Sequence, residues 1–412
     1  MRADALDLYY LPMEDPRLAR DPYPFFAEAR AQHPWLARCA FGYVVHQYKA
    51  IEEFLRQDGA LKSDFAGIVG IMEADGTPWG EWSKRYILST PDDQHQRMRA
   101  ALASKFTPRR ANENRELMRE TISRLLDDWA PRGAFDFEEF ASFFPITVLC
   151  TMIGADPAAI PALRRSLEAL GLSASMLRDH LPALNDAFVQ IEDFSLTLVA
   201  ARRDGARLRP GRDMLDDLIA TVDEGGLTER ELIDMLVFLF AAGFDTSKNM
   251  LTLIMNQMID HPDMYRRCAE DRDYCRTVME ETFRFDNPGT IPRLTRREVT
   301  FRGVTFPANT HLFFPVSVAG RDPTANGDPH RFDPARERRS HLAFGMGMHM
   351  CLGQFIARAQ IQEGLHLIAQ RLRDPRRTGP SDWRPFFGVW GMRGLPIAFT
   401  PAAAAARTAE LA

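Results

Sequence analysis

The most constraining feature of the sequence is a single long helix, predicted from Glu229 to Asp260. Thr228 and Glu231 have the spacing of a capping box, and Pro262 follows the last turn of the pattern. At 1.5 Å per residue the helix is roughly 50 Å long. Its middle, Leu236–Ala242, is apolar on every face. Such a rod must cross the interior of the protein, so the rest of the chain has to pack around it.

Helical patterns also dominate the remaining sequence, with only short strand-like segments between them. Further helices are predicted at Tyr23–Gln32, Lys49–Gln57, Asp92–Phe106, Asn112–Trp129, Ala183–Arg203, Pro262–Phe285 and Leu352–Arg373, and strands at Phe41–His46, Val299–Phe306, His311–Val316 and Leu395–Thr400. No Gly/Ser-rich or charged linker divides the chain. We therefore predict a mainly α protein with small β-sheets, one domain over residues 1–400, and a disordered Ala-rich tail over 401–412.

Charge, hydropathy and cysteine content exclude several classes of protein. The net charge of −5 gives no reason to expect nucleic-acid binding. The longest apolar stretch, Met235–Phe244, is far shorter than the ~20 residues of a membrane span, and Met1–Pro16 does not resemble a signal peptide. Five widely spaced cysteines without a Cys-x-x-Cys argue against disulfides and structural zinc. We expect a cytoplasmic protein that binds neither nucleic acid nor membrane.

The segment Phe344-Gly-Met-Gly-Met-His-Met-Cys351-Leu-Gly353 places one cysteine among three glycines, where a loop enters a helix. Glycines allow a sharp turn and close approach to another group. The free amides and positive dipole end of a helix N-terminus stabilise a thiolate. The alternative interpretation of this cysteine alone is a buried free thiol beside a turn.

A second unusual segment, Ala241-Ala-Gly-Phe-Asp245-Thr246-Ser247, lies in the middle of the long helix. Glycine in a helix interior costs about 1 kcal/mol relative to alanine, and a buried aspartate needs partners. Taken alone, Asp245 and Thr246 also fit an aspartate in a salt bridge and a threonine whose hydroxyl donates to a backbone carbonyl.

Two charged pairs have helical spacing. Glu281 and Arg284 share one helix face, as do His95 and Arg99. The ordinary interpretation of Glu281 and Arg284 is a surface ion pair, and that of His95 and Arg99 is a solvated cationic patch.

Taken together and in this order, these motifs resemble the cytochrome P450 family, over Pro24 to Thr400. The cysteine segment matches the family's Phe-Gly-x-Gly-x-His/Arg-x-Cys-x-Gly at every fixed position, and the helix segment is similar to its Ala/Gly-Gly-x-Asp/Glu-Thr-Thr/Ser. The resemblance implies a single haem domain of the cytochrome P450 fold, with the long central helix over the haem and the cysteine loop beneath it.

The same resemblance implies roles for particular residues. Cys351 would be the ligand to the iron of haem b. Asp245 and Thr246 would be catalytic, relaying protons and contacting O2. Glu281 and Arg284 would form a structural triad with Arg336. The further cofactor-binding residues would be His95, Arg99, Arg293, Phe344, Gly345, His349 and Gly353.

By family position, the segment Phe65 to Leu88 is expected to form a loop over the haem and to contribute to an apolar substrate pocket. The expected pocket residues are Trp82, Tyr86, Leu88, Phe238, Ala241, Ala242, Ile291, Val389 and Trp390. This set favours a neutral terpenoid-, steroid- or aromatic-like compound. Lys84, Arg85 or Arg393 would be the groups to meet a substrate carboxylate, although a surface position is favoured for all three.

The implied reaction is RH + O2 + two electrons + two protons → ROH + water. The electrons are expected from a ferredoxin, or a flavodoxin, with its reductase. Basic residues near the cysteine are candidates for the docking patch, with plain solvated charge as the alternative: Arg97, Lys105, Arg109, Arg110, Arg338 and Arg358. Three other functions remain as alternatives. They are a haem-based sensor or ligand-binding protein, an NO reductase, and a peroxygenase, which Asp245 and Thr246 disfavour.

Overall fold

The computed structural model describes residues 1–57, 59–337 and 341–402, most of them in helices. The helices are Pro16–Arg20 (α1), Tyr23–Gln32 (α2), Tyr48–Leu55 (α3), Phe65–Ile71 (α4), Pro78–Arg85 (α5), Asp92–Ala103 (α6), Pro108–Glu113 (α7), Arg115–Trp129 (α8), Phe137–Ile153 (α9), Ile160–Leu170 (α10), Leu181–Arg203 (α11), Met214–Asp223 (α12), Glu229–Asp260 (α13), Pro262–Glu270 (α14), Arg272–Phe285 (α15), Val316–Ala319 (α16) and Gln354–Arg371 (α17). The prediction of a mainly α protein with small sheets is confirmed.

The strands are short. They are Leu36–Cys39 (β1), Gly42–Val45 (β2), Leu61–Ser63 (β3), Ala134–Asp136 (β4), Ile291–Thr295 (β5), Val299–Phe301 (β6), Val304–Phe306 (β7), His311–Phe314 (β8), Leu372–Arg377 (β9), Asp382–Trp383 (β10), Met392–Arg393 (β11) and Pro396–Pro401 (β12). One sheet has the order β1-β2-β8-β5-β3, in which only the β2–β8 pair is parallel. A second has the antiparallel order β4-β12-β9, while β6-β7 and β10-β11 are two-stranded.

The long helix α13 begins and ends where the sequence predicts. Its capping box is complete, because the Glu231 amide donates to Thr228 Oγ1 at 3.1 Å and the Thr228 amide donates to Glu231 Oε2 at 2.8 Å. A hydrogen bond from Arg97 lowers the pKa of Glu231 to about 2 despite its partial burial. Much of the helix is buried, so α13 forms the centre of the main hydrophobic core.

Helix α9 packs along α13 and was not predicted from the sequence. Its apolar residues face all directions and Pro145 lies inside it, so no periodicity of 3.6 marks it as a helix. The two helices approach closely at Gly243, where a Cβ would clash with Leu149. The contact at Gly243 determines how near the side chains of α9 come to the middle of α13.

Several predicted elements differ in the structure, among them the single strand predicted at Val299–Phe306, which is the antiparallel pair β6 and β7. The expected loop Phe65 to Leu88 contains α4 and α5. The predicted helix Pro262–Phe285 is divided at Asp271, which leaves the helical conformation and caps α15 by accepting from the amides of Asp273 and Tyr274. Strand β12 extends to Pro401, and residues 403–412 of the expected tail lie outside the described residues. Within the described ranges, no helix is both long and apolar enough to cross a membrane.

Candidate active site

A cavity of about 450 Å³ lies between the middle of α13 and the loop that precedes α17. It brings together most of the residues singled out in the sequence. Its lining includes Trp82, Tyr86, Leu88, His95, Arg99, Phe238, Ala241, Ala242, Asp245, Thr246, Phe344, His349, Cys351, Gly353 and Val389. A thiol, an acid–alcohol pair, two imidazoles, a half-buried guanidinium and an aromatic wall therefore share one cavity.

The cysteine loop closes on itself. Gly345 and Gly347 have φ of 65° and 70°, which L side chains rarely adopt, and the Cys351 amide donates to the Phe344 carbonyl at 2.8 Å. Helix α17 begins three residues after Cys351, at Gln354. Burial raises the pKa of the Cys351 thiol, while the Gly353 amide and the positive charge of Arg99 act in the opposite direction. The local groups thus favour the thiolate that burial disfavours.

A buried ion cluster ties this loop to α15. His341 Nε2 donates to Glu280 Oε2 at 3.0 Å, and Arg358 Nε donates to Glu280 Oε1 at 2.6 Å. The Arg358 guanidinium also lies 4.2 Å from the ring centroid of Phe344. Burial opposes ionisation of Glu280, yet hydrogen bonds from His341 and Arg358 lower its pKa to about 2. The sequence analysis missed Glu280 and His341, although Glu280 adjoins the Glu281–Arg284 motif.

The structural triad has the expected arrangement. Glu281 and Arg284 are fully buried and form two hydrogen bonds, of 2.7 and 2.9 Å. Arg336 Nε lies 3.6 Å from Glu281 Oε1, and Arg336 also donates to the Asp328 carbonyl at 3.0 Å. Arg284 in turn donates to three backbone carbonyls of the following loop region. The triad therefore supports the backbone that leads to the cysteine loop.

Cationic and imidazole side chains gather at one end of the cavity. The His95 and His349 rings lie 4.4 Å apart, and Arg99 Nη2 donates to the Met350 carbonyl at 2.6 Å. Burial and the positive charge of Arg293 lower the pKa of His349 to about 3. Nδ1 of His349 is buried and has no hydrogen-bond partner among the described residues. Arg293, on β5, is buried beside this end but does not line the cavity.

These residues fit the haem that the sequence resemblance implies. A buried imidazole nitrogen without a described partner and nearby guanidinium groups suit the two carboxylates of a porphyrin. A cysteine in a glycine loop, with amides and cations that favour its thiolate, suits iron. Gly345 lies at the turn and not in the cavity wall, while Gly353 lines the cavity. The donor set and the cofactor are therefore chemically matched.

The acid–alcohol pair lies at the cavity side of α13. The Thr246 side chain is exposed to the cavity, and its Oγ1 donates to the Ala242 carbonyl at 2.9 Å. Asp245 is almost fully buried, and its Oδ1 accepts from Arg384 and from Asn249. Lys248 Nζ lies 3.3 Å from the same oxygen. Lys248 and Arg384 were missed in the sequence, although a lysine three residues after Asp245 in an apolar helix is a recognisable signal.

Aromatic side chains form the wall opposite the cysteine loop. The Trp82 and Tyr86 ring centroids are 4.7 Å apart, Tyr86 and Phe238 are 5.5 Å apart, and Trp82 also contacts Phe188 at 5.6 Å. Ser83 lines the cavity between these rings, and its buried Oγ has no hydrogen-bond partner among the described residues. The wall is therefore apolar.

Two expected pocket residues lie elsewhere. Trp390 is in the core, stacked on Trp383 at 4.9 Å with its Nε1 donating to the Ala19 carbonyl at 2.7 Å. In an extended segment neighbouring side chains point to opposite faces, so Val389 lines the cavity and Trp390 cannot also do so. Ile291 does not line the cavity and packs against Gly345 instead.

The candidate charges for a substrate carboxylate also lie outside the cavity lining. Lys84 pairs with Asp75 and Glu81, Arg85 pairs with Asp234, and Arg393 is exposed on β11. A surface position is what the sequence favoured for all three.

The candidate docking cations are mostly paired. Arg97 pairs with Glu231, Lys105 with Asp217, and Arg358 with Glu280. Arg109 and Arg110 share Glu113, each at 2.8 Å, and both are exposed. Arg338 lies outside the described residues.

Comparisons with known proteins agree with this geometry. The family model described as Cytochrome P450 matches residues 165–375. The chain is 30% identical to luteothin monooxygenase of Streptomyces thioluteus, over 95% of this chain and 96% of the relative. It is also 30% identical to 6-deoxyerythronolide B hydroxylase of Saccharopolyspora erythraea, over 74% and 75%. The crystal structure of a myxobacterial cytochrome P450, CYP267B1, in complex with myristic acid superimposes with a TM-score of 0.85 at 23% identity, covering 94% and 98% of the two chains.

Proposed function

The chain belongs to the cytochrome P450 family of haem b monooxygenases, and we propose that it hydroxylates a small-to-medium hydrophobic organic compound in the cytoplasm. The oxidant would be O2, with two electrons from an external redox partner. The observation that carries this proposal is the single cavity that joins Cys351 to Asp245, Thr246 and the aromatic wall. Thiolate, proton donors and an apolar binding surface are the three elements that such a reaction needs.

The chain's own residues would hold the cofactor from two sides. Cys351 would bind the iron, while His95, Arg99, Arg293 and His349 would bind the propionates. Phe344, Gly345 and Gly353 would shape the loop against the porphyrin. When bound, the haem supplies the activation of O2 and the insertion of one oxygen atom into a C–H bond of the substrate.

The acid–alcohol pair would deliver protons to the cavity. Thr246 presents its hydroxyl there and Asp245 lies next to it in the buried interior of α13. Two protons are consumed for each oxygen molecule, so a side chain that exchanges protons must reach the reacting space while bulk water stays out. The aromatic wall of Trp82, Tyr86 and Phe238 is suited to exclude that water.

The lining of the cavity supports a neutral substrate of terpenoid, steroid or aromatic character. Cations that would recognise a carboxylate, such as Lys84 and Arg85, pair with acids outside the cavity lining. The Tyr86 hydroxyl, on one of the rings that line the cavity, would orient one polar group of the substrate.

The redox partner would be a ferredoxin, or a flavodoxin, with its reductase. Met350 and Phe355 are exposed beside Cys351, and Arg109 and Arg110 are exposed cations with one carboxylate between them. Charge reversal of both arginines should reduce ferredoxin-driven turnover and its dependence on salt. Arg178→Glu is a matched control, because Arg178 is also exposed and also paired with a single glutamate, Glu73.

The test of the proposed function has two stages. The reduced protein is first treated with CO, and the red-shifted thiolate band is expected. Terpenoid, steroid and aromatic compounds are then titrated for a shift to high spin, and those that bind are incubated with NADH, a ferredoxin and its reductase. Hydroxylated product supports the proposal. A CO complex with no product from any donor would indicate a sensor or binding protein, and product from peroxide alone would indicate a peroxygenase.

A further inference from the structure

We propose that Lys248 and Glu138 form a proton inlet, which carries protons from solvent to Asp245. The proposal rests on the proposed function, since a proton inlet is needed only where O2 is reduced in the cavity. It concerns two residues, one on α13 and one at the start of α9, that no sequence motif singled out.

Four charged side chains meet behind the cavity. Asp245 Oδ1 accepts from Arg384 and lies 3.3 Å from Lys248 Nζ, and Lys248 Nζ lies 2.5 Å from Glu138 Oε1. The two acids and two bases balance in charge. Buried ion clusters are often less stabilising than apolar side chains of the same volume. Stability alone therefore gives little reason for this cluster beside the acid–alcohol pair.

The solvent exposure of the side chains increases from Asp245 through Lys248 to Glu138. The Asp245 and Lys248 side chains are 1% and 2% exposed, whereas the Glu138 side chain is 12% exposed. Glu138 lies in the first turn of α9, two residues after the capping residue Asp136. Glu138 is therefore where water reaches the cluster, and Lys248 is the link between that point and Asp245.

The two bases cannot have the same role. An arginine stays protonated under all ordinary conditions, whereas a buried lysine can release a proton. Arg384, which also donates to the Glu168 carbonyl at 3.4 Å, can hold Asp245 in place but cannot supply it with protons. Lys248 lies between two carboxylates and can pass a proton from one to the other.

The transfer leaves the cluster unchanged in charge. Glu138 takes a proton from solvent, the Lys248 ammonium gives one to Asp245, the Glu138 carboxyl returns one to Lys248, and Asp245 releases its proton to the cavity side. One proton thus moves from solvent to the cavity side in each cycle, and two cycles supply the two protons of the reaction. Asp245 Oδ2 has no hydrogen-bond partner among the described residues. A Cβ at Gly171 would clash with this oxygen, so the glycine leaves the room in which Oδ2 would carry the proton.

The experiment compares Lys248→Arg, Lys248→Met and Glu138→Gln with the wild-type holoenzyme. Lys248→Arg is the decisive variant, because it keeps the positive charge and removes the proton that can be released. The probe is O2 itself, whose NADH-driven consumption through a plant-type ferredoxin and its reductase is measured in H2O and D2O. The haem environment is followed by the reduced CO spectrum, and folding by thermal unfolding of the holoenzyme.

We expect O2 consumption to fall by about 10- to 100-fold in all three variants, with a larger solvent isotope effect. The reduced CO spectrum of Lys248→Arg should match the wild type. Oxidation of guaiacol with added hydrogen peroxide should stay within about twofold of the wild type, because peroxide brings its own protons and electrons.

If Lys248→Arg consumes O2 at the wild-type rate and with the wild-type isotope effect, the proton inlet is overturned. Equal loss of the peroxide-driven and NADH-driven reactions would overturn it as well, because such a loss indicates a structural role. Failure of the wild-type protein itself to consume O2 would contradict the proposed function, and the inlet with it.

Discussion

The ring of His349 lies 4.4 Å from the ring of His95, joining the cysteine loop to α6 at the edge of the cavity. Replacing His349 with phenylalanine keeps the ring and removes the buried nitrogen that has no described partner. We expect about 10-fold weaker haem retention, a typical effect of losing a hydrogen-bonding partner at a metal centre. The haem-to-protein ratio after gel filtration measures it. His33→Phe is the control, and equal haem content in both variants would contradict the role of His349.

Cys351→Ser should abolish the red-shifted band of the reduced CO complex, because a serine oxygen does not reproduce the thiolate. Cys150→Ser is the matched control, since Cys150 is a buried free cysteine in α9 that does not line the cavity. Absorbance spectra of the two purified variants make the comparison. A retained band in Cys351→Ser would show that another residue binds the iron.

Glu280→Gln should destabilise the protein by roughly 2 kcal/mol at neutral pH, since hydrogen bonds from His341 and Arg358 stabilise the carboxylate. The pKa of Glu280 falls from its ordinary 4.5 to about 2 on folding. The ionised group therefore stabilises the folded state above pH 4.5, and this contribution disappears as the pH falls toward 2.

Urea denaturation of the Glu280→Gln variant and the wild type across pH 3 to 8 measures this difference. The difference between the two stabilities should shrink steadily from pH 4.5 down to pH 3. A difference that stays constant with pH would show that the Glu280 charge has no part in holding the cysteine loop.

Trp82→Ala and Trp390→Ala should have different effects, although both residues were expected in the pocket. Trp82 lines the cavity, so its loss should change which compounds give a spin shift. Trp390 is stacked in the core, so its loss should cost about 3–5 kcal/mol of stability. Thermal unfolding and substrate titration of both variants separate the two cases. A changed substrate range in a stable Trp390→Ala would contradict this placement.

Local patterns predicted the parts of the site that a continuous segment encodes. The α13 boundaries, the loop at Cys351 and the pair Asp245–Thr246 each depend on neighbours within one helix or turn. The resemblance to a known family then supplied roles that spacing alone left open, such as that of His95.

Partners that are distant in sequence could not be found in this way. Arg384 and Glu138 meet Asp245 and Lys248 only because α9 and the C-terminal segment fold against α13. Neither has a motif of its own. Trp390 was placed wrongly because its family position does not show which face of the backbone its side chain occupies.

The pairing of Arg384 with Asp245 also has a consequence for biosynthesis. The partner of a residue in the central helix is encoded 139 residues after it, on the same segment whose last strand pairs with β4. Helices that leave the ribosome early can pack before this segment exists, but the cavity stays incomplete until the segment has been synthesised. A chain truncated before Arg384 would therefore be largely folded but inactive.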